Sequence, residues 1–345
     1  MKWMTVFAAF SSIISLNLSA APPNSAIGYQ TTPNAKWQLV WQDDFSGETL
    51  DSSKWNIEVN CDGGGNDEQQ CYTANIDNLF LKNGALYLVA RKANEKALKP
   101  FTSGRINSKG KADFKYGRFE IKAKLPSGQG AWPAFWMLPS EQVYGTWPKS
   151  GEIDIMESVN LKVPLKNGKI ENTVHGTLHY GHDWPNNVYS GKAFDFGGKS
   201  NPADGFHLYS VEWEEGEIRW YVDNILYARQ KQTRLNNNGK FAHQGWYTLS
   251  SNNNNQKQDV LYSKAPFDQA FHLILNFAVG GNWPENTGQK GVDANAFDEN
   301  NPFIIEYVKA YQCQADKHTG KGCASLPKLK SSLDKLLVNG KAPTI

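Results

Sequence analysis

From Trp37 onward, apolar and polar residues alternate over short stretches separated by Gly, Asn and Pro. In Arg118 to Leu125, Phe119, Ile121, Ala123 and Leu125 fall on one side and the charged residues on the other. In Ala85 to Ala90, Leu86, Leu88 and Ala90 share a side. A period of two is the signature of a strand with one face in a core. Trp213 to Val222 brackets Glu214-Glu215-Gly216 and reads as a hairpin, while Phe271 to Val279 and Phe303 to Tyr311 read as further strands. Long helical periods are missing from this region. Many short strands with Gly, Asn and Pro turns predict an all-β, antiparallel sandwich.

Four stretches fall outside that pattern. Residues 1–20 read as a secretory signal: Lys2 is the only charge, Val6 to Leu18 is mostly apolar, and Leu18-Ser19-Ala20 offers a small-residue cleavage site. The apolar run is too short to span a bilayer comfortably, and no other segment is a candidate to do so. Residues 21–36, rich in Pro, Ala, Asn and Thr, read as a flexible lead-in to a domain over 37–314. Leu235 to Gln258 is rich in Asn and Gln and reads as a long surface loop. Residues 315–345 carry six lysines against Asp316 and Asp334, and read as a solvated basic tail with a short helix around Ser331 to Leu337.

Charge then narrows the partners. The 345 residues have a formal net charge of +2, with 20% charged residues, which points away from nucleic acid and from acidic polymers. Twelve Trp, 14 Tyr and 17 Phe supply flat apolar faces that suit a core and also suit stacking on sugar rings. The four cysteines fit export to an extracellular or periplasmic compartment. Pairing Cys61 with Cys71 and Cys313 with Cys323 is the simplest of three connectivities, and spacing alone does not choose among them.

The sharpest chemical feature is Gly151-Glu152-Ile153-Asp154-Ile155-Met156-Glu157. Plain alternation puts Glu152 and Asp154 on one face and leaves Glu157 on the other. A β-bulge at Met156 inserts one residue and returns Glu157 to the face of the other two acids. Two carboxylates held across a bond are what glycoside hydrolysis requires. Just upstream, Trp132, Ala134 and Trp136 share a face, two indoles flanking a small residue as a platform for a sugar, while Phe135 and Met137 point to the core. Downstream, His175, Thr177 and His179 line one face and can bond the acids or sugar hydroxyls. Asn276 sits among apolar residues and needs partners if buried. Gly280-Gly281-Asn282-Trp283 puts another Trp on a loop.

These motifs, taken in order, resemble glycoside hydrolase family 16, and most closely its laminarinase (endo-β-1,3-glucanase) branch. The resemblance runs from Trp37 to Gln312 through Trp41-Gln42-Asp43-Asp44-Phe45, Asn66-Asp67-Glu68-Gln69, Tyr116-Gly117-Arg118, Gly128 to Leu138, the acidic segment, His175 to His179, and Asn276 to Trp283. It implies a jelly-roll, concanavalin A-like sandwich with an open cleft on its concave sheet. It also implies a retaining mechanism with Glu152 as nucleophile, Asp154 as its assistant and Glu157 as general acid/base. Trp132, Trp136 and Trp283 would line sugar subsites, with Arg105, Asn66, His175 and His179 as polar contacts. No catalytic cofactor is implied. A structural calcium on the convex face is, with Asp44, the Gly84 carbonyl and Glu306 as ligands; here Asp44 and Glu306 exchange the usual lengths of the two acids. The expected partner is β-1,3-glucan or mixed-linkage β-glucan, handled by a monomer. The competing readings are a non-catalytic β-glucan-binding protein and a relative acting on agar or carrageenan.

Overall fold

The alternating segments become strands, and their apolar sides face one another across a two-sheet sandwich. The structure, a computed structural model, describes residues 28–198, 200–250, 259–328 and 330–343. The strands that build the sandwich are β1 (Tyr29–Gln30), β2 (Trp37–Asp43), β3 (Asn56–Ile57), β4 (Leu79–Lys82), β5 (Ala85–Leu88), β6 (Arg105–Asn107), β7 (Asp113–Phe114), β8 (Gly117–Lys124) and β9 (Ala131–Pro139). They continue with β10 (Glu152–Glu157), β11 (Thr173–Tyr180), β12 (Val188–Asp195), β13 (His207–Glu214), β14 (Glu217–Val222), β15 (Ile225–Lys231), β16 (Phe271–Val279) and β17 (Phe303–Cys313).

One sheet has the order β1-β15-β14-β13-β8-β17-β5-β4, with β2 also on β17; the other runs β12-β11-β10-β9-β16-β6-β3, with β7 on β16. All pairs within the two sheets are antiparallel. Side chains from both sheets form one core: Phe119, Ile121, Val211 and Trp213 from the first meet Phe135, Ile153, Leu178 and Leu275 from the second. The predicted hairpin is present, since β13 and β14 pair from Glu214↔Glu217 outward.

Strand β16 is buried at all nine positions. Phe271, Leu273, Leu275, Phe277 and Val279 enter the core, while His272, Ile274, Asn276 and Ala278 form the floor of a cleft on the other face. That double burial explains why its sequence reads as a nearly continuous apolar run.

Several expectations need correction. Arg118 and Glu120 do point away from the core, but they are not solvated: only 1% and 7% of their surfaces are exposed. Arg118 pairs with Glu120 at 3.0 Å and with Glu212 at 3.2 Å, and Glu212 also accepts bonds from the Ser325 N–H, the Tyr221 hydroxyl and the Trp37 indole. The cover over this face comes from the chain after β17. Cys313 bonds to Cys323, and Cys61 to Cys71. A 3-10 helix follows at Lys330–Leu336, within the span predicted to hold a short helix.

The basic end is therefore no loose tail over its described residues. Leu333 and Leu336 pack on Tyr221 and Leu226, and the Val338 N–H bonds to the Arg229 carbonyl at 2.8 Å. Its lysines at 317, 321, 328, 335 and 341 stay exposed, so a census of charge registers them and misses the apolar anchors. The lead-in is likewise partly ordered, with Tyr29 and Gln30 paired to Leu226 and Ile225. Within the Asn-rich loop, Arg234–Leu235 pairs with Phe241–His243, and Thr248–Leu249 with Val260–Leu261. The signal reading at 1–20 lies outside the described residues. No helix among those residues is long and apolar enough to cross a membrane.

Candidate active site

The bulge forms, and it decides the site. Against β9, Asp154 faces Trp136 and Met156 faces Phe135, so Ile155 is the unpaired residue rather than Met156. Against β11, Asp154 faces Thr177 and Glu157 faces His175, so three steps on one strand match two on the other. Ile155 and Met156 both turn into the core. Glu152, Asp154 and Glu157 consequently line one cleft of about 920 Å³ on the concave sheet.

A bulge takes a carbonyl out of the ladder, and a buried carbonyl needs a donor. The Asp154 carbonyl finds it in the opposite sheet, accepting from the Trp220 indole N–H at 2.8 Å. Gly176 makes room for this contact, because a β-carbon there would collide with the Trp220 ring.

Each acid has its own surroundings. Glu152 accepts from the Trp147 indole N–H at 2.6 Å. Asp154 is 2% exposed, and its Oδ2 is buried with no donor directed at it. Burial, the charge of Glu152 and a hydrogen bond to Glu152 raise the Asp154 pKa far above the usual carboxylate range. A proton on Asp154 makes the acid a donor as well as an acceptor. Glu157 is also raised well above its ordinary value, by burial first and then by Asp154 and Glu152; His179 and the Trp132 indole oppose the rise. That indole donates to Glu157 Oε1 at 3.1 Å.

His179 Nε2 lies 3.4 Å from Asp154 and 3.8 Å from Glu152. Among the described residues it is the only basic group within 4.0 Å of the three acids. The donor atoms of Glu152, Asp154 and His179 lie within 4.8 Å of one another, a spacing that suits a metal ion as well as a shared proton.

Asn66, Arg105, Trp132 and Trp136 line the cleft with the acids. Arg105 pairs with Glu58 at 3.0 Å and lies over the Trp136 ring, 5.0 Å from its centroid. The Trp136 indole donates to Asn276 Oδ1 at 2.7 Å, and Asn276 in turn donates to the Tyr72 hydroxyl at 3.1 Å. This supplies the partners that a buried Asn requires. Trp132 does not match the expected open platform. It is 9% exposed, and its ring meets Trp283 edge-on at 5.5 Å, so it holds Glu157 and bounds the cleft instead.

Trp283, His175 and His179 are not among the residues that line this cleft; the two histidines stand on the neighbouring strand β11. Trp283 meets the His175 ring edge-on at 5.0 Å, and burial lowers the His175 pKa against the pull of Glu171. Sequence reasoning missed Trp147 and Trp184, which line the cleft from loops, and His272, which sits on its floor. Burial and the charge of Lys109 push His272 down to about 4, so it faces the cleft as a neutral ring. Trp147 had a signal, lying five residues before Glu152, but nothing in the alternation pattern marks a loop residue.

The residues expected to hold calcium are engaged elsewhere. Glu306 pairs with Lys122 at 2.6 Å, and Asp44 accepts from the Ser46 hydroxyl and N–H at 2.8 and 3.2 Å. Gly84 closes the Asn-Gly turn between β4 and β5, both residues having positive φ. An ammonium ion thus already neutralises one of the two acids, and the set does not fit calcium as it stands.

Known proteins agree with this geometry. The profile of glycosyl hydrolases family 16 matches residues 66–294. Glucan endo-1,3-beta-glucosidase A1 of Niallia circulans is 39% identical over 304 residues, covering 84% of this chain. This chain spans only 40% of the length of that protein. The beta-glucanase of Rhodothermus marinus is 40% identical over 284 residues, covering 80% of this chain and 85% of that protein. The solved laminarinase structure from Rhodothermus marinus superposes with a TM-score of 0.61 at 38% identity, covering 80% of this chain and 97% of that one.

Proposed function

The chain belongs to glycosyl hydrolases family 16, and on that premise we propose that it cleaves internal linkages of β-1,3-glucan, and of mixed-linkage β-1,3-1,4-glucan, with retention of configuration. The observation that carries the reading is the division of labour on β10. Glu152 is an acceptor fixed by Trp147, and Glu157 is a half-buried acid whose pKa is raised by desolvation and by its acidic neighbours.

In the first step Glu157 gives its proton to the glycosidic oxygen as Glu152 attacks the anomeric carbon. The C–O bond to the leaving sugar breaks, and a covalent glycosyl ester forms on Glu152. In the second step Glu157, now a carboxylate, takes a proton from water, whose oxygen displaces Glu152. Two carboxyls acting in this way sit about 5–5.5 Å apart. Asp154 shares its proton with Glu152 and shields it from the repulsion of a second charge.

Release of reducing sugar from laminarin tests the reading, with lichenan, agarose and κ-carrageenan as companion substrates. Activity on laminarin that disappears in Glu152→Gln, and a product born in the β configuration by NMR, are the expected results. Tight binding of laminarin with no release would leave the glucan-binding alternative standing and sink the hydrolase. Release confined to agarose or carrageenan would overturn the substrate assignment.

Two disulfides and the signal-like residues 1–20 support export, and the reaction requires a single chain. A structural calcium at Asp44, Gly84 and Glu306 would have to displace Lys122, and it takes no part in the proposed reaction.

A further inference from the structure

The acids sit on a middle strand, flanked on one side by β9 and the floor of the cleft. On the other flank, β11 and β12 continue the rows of β10 across the sheet. Glu152 aligns with His179 and then Tyr189, Asp154 with Thr177 and then Gly191, and Glu157 with His175 and then Ala193. All of these point to the concave side, since the residues between them on β11 are buried in the core or against it.

The middle row of this flank is low. Gly191 is exposed, and a β-carbon there would lie 2.5 Å from the Gly176 carbonyl and 2.8 Å from Thr177 Oγ1. Only glycine allows this close approach, and it leaves a trough floored by Thr177 and Gly191. Tyr189 rises along one bank with 56% of its surface exposed, its ring 5.6 Å from that of His179.

The end of the chain reaches this bank. Past the 3-10 helix, Gly340 exchanges hydrogen bonds with Gln244, and the Lys341 N–H meets the Tyr180 hydroxyl at 3.4 Å. Tyr180 is the last residue of β11, so Lys341 emerges at the edge of the concave sheet. Its Nζ stands 4.7 Å from the centre of the Tyr189 ring. One face of a Lys ammonium satisfied by a ring leaves N–H donors free for hydroxyls.

We propose that Lys341 and Tyr189 form a sugar-binding position beyond the acids. The C-terminal strap supplies donors to the hydroxyls of a glucosyl unit, the Tyr189 ring supplies its apolar side, and Thr177 and Gly191 supply its floor. The proposal rests on the glucanase reading, because it assigns the position to the same polysaccharide. It gives the strap a task that its lysine content alone does not suggest.

The test separates the two ideas. In the inactive Glu152→Gln background, binding of laminarihexaose is measured by calorimetry with and without Lys341→Ala, Tyr189→Ala and Lys341→Arg. The hexaose Kd should rise about threefold for Lys341→Ala and about tenfold for Tyr189→Ala, and stay near the parent for Lys341→Arg. Laminaribiose, too short to fill both flanks, should bind all four proteins alike. The double Ala variant should be no weaker than Tyr189→Ala, because the two residues act together. Melting temperatures within about 1 °C of the parent certify the fold. A hexaose Kd that neither Ala substitution moves overturns the proposal, as does equal weakening of biose and hexaose. Hydrolysis of laminarin by the unmodified enzyme is scored separately, so failure of the glucanase reading shows there and not in the Kd ratios.

Discussion

The two sheets bury the same kind of side chain and treat it in opposite ways. On the outer sheet, Glu217 is 9% exposed and lies among Arg219, Arg229 and Lys231. Burial alone would raise its pKa, but those cations outweigh it and hold it below the ordinary value. On the concave sheet, Asp154 is buried and Glu157 half-buried with His179 as their basic neighbour, and desolvation wins. Desolvation is common to both; the supply of guanidinium groups is the difference. Buried acids with cations build a wall, and buried acids without them hold protons that chemistry can spend.

The pH signs follow. The folded pKa of Glu217 is lowered, so its contribution is present above its unfolded value of about 4.3 and is lost as pH falls through the folded value. The folded pKa values of Asp154 and Glu157 are raised, so their contribution is complete below about 4 and is lost as pH rises through the folded values. The concave sheet tolerates that loss near neutrality in return for a proton donor.

The sharpest break of the comparison is Glu157→Gln. Turnover on laminarin should fall about 10²- to 10⁴-fold, as for removal of a general acid. The melting temperature near neutral pH should hold or rise, because a raised-pKa acid has been replaced by a neutral isostere; a clear fall would mean that Glu157 is structural. Arg219→Met is the mirror experiment. It leaves Glu214 without its cation and Glu217 with Arg229 and Lys231 only, and denaturant melts should show a loss of about 3 kcal/mol while the folded fraction keeps its kcat. Trp220→Phe removes the donor of the Asp154 carbonyl, and should cost about 1–3 kcal/mol together with a drop in kcat. A loss of stability alone would separate the bulge from catalysis. The smallest effect is expected from Trp132→Phe. It deletes an N–H that favours ionised Glu157, so the alkaline limb of the kcat/KM profile should move to higher pH. A limb that stays in place would detach Glu157 from that limb.

Local pattern carried the strands well. Phe119, Ile121 and Ala123 are core residues as their spacing demands, and the mismatch of Glu157 with simple alternation was enough to call for a bulge. The position of the extra residue was off by one, because Ile155 and Met156 are both apolar and either satisfies the pattern. What sequence spacing cannot carry is cover from far along the chain. Arg118 and Glu120 read as solvated because Glu212, which pairs with Arg118, and Tyr311, which donates to Glu120, come from far along the chain and cannot be placed from local pattern. Trp132 is ambiguous for a similar reason: whether this strand indole forms a platform or a wall depends on Trp283, which lies on a loop far along the chain. The loop indole of Trp147 lies outside any period, and only the fold brings it to Glu152.

The Trp220 side chain and its bond to the Asp154 carbonyl together bridge the two sheets of the sandwich. This bridge turns the spacing between the sheets, about 10 Å in such folds, into a gauge for the position of the catalytic strand. A cavity-creating or overpacking change at Phe119 or Val211, on the far sheet and remote from any sugar, should then detune turnover through that single tether.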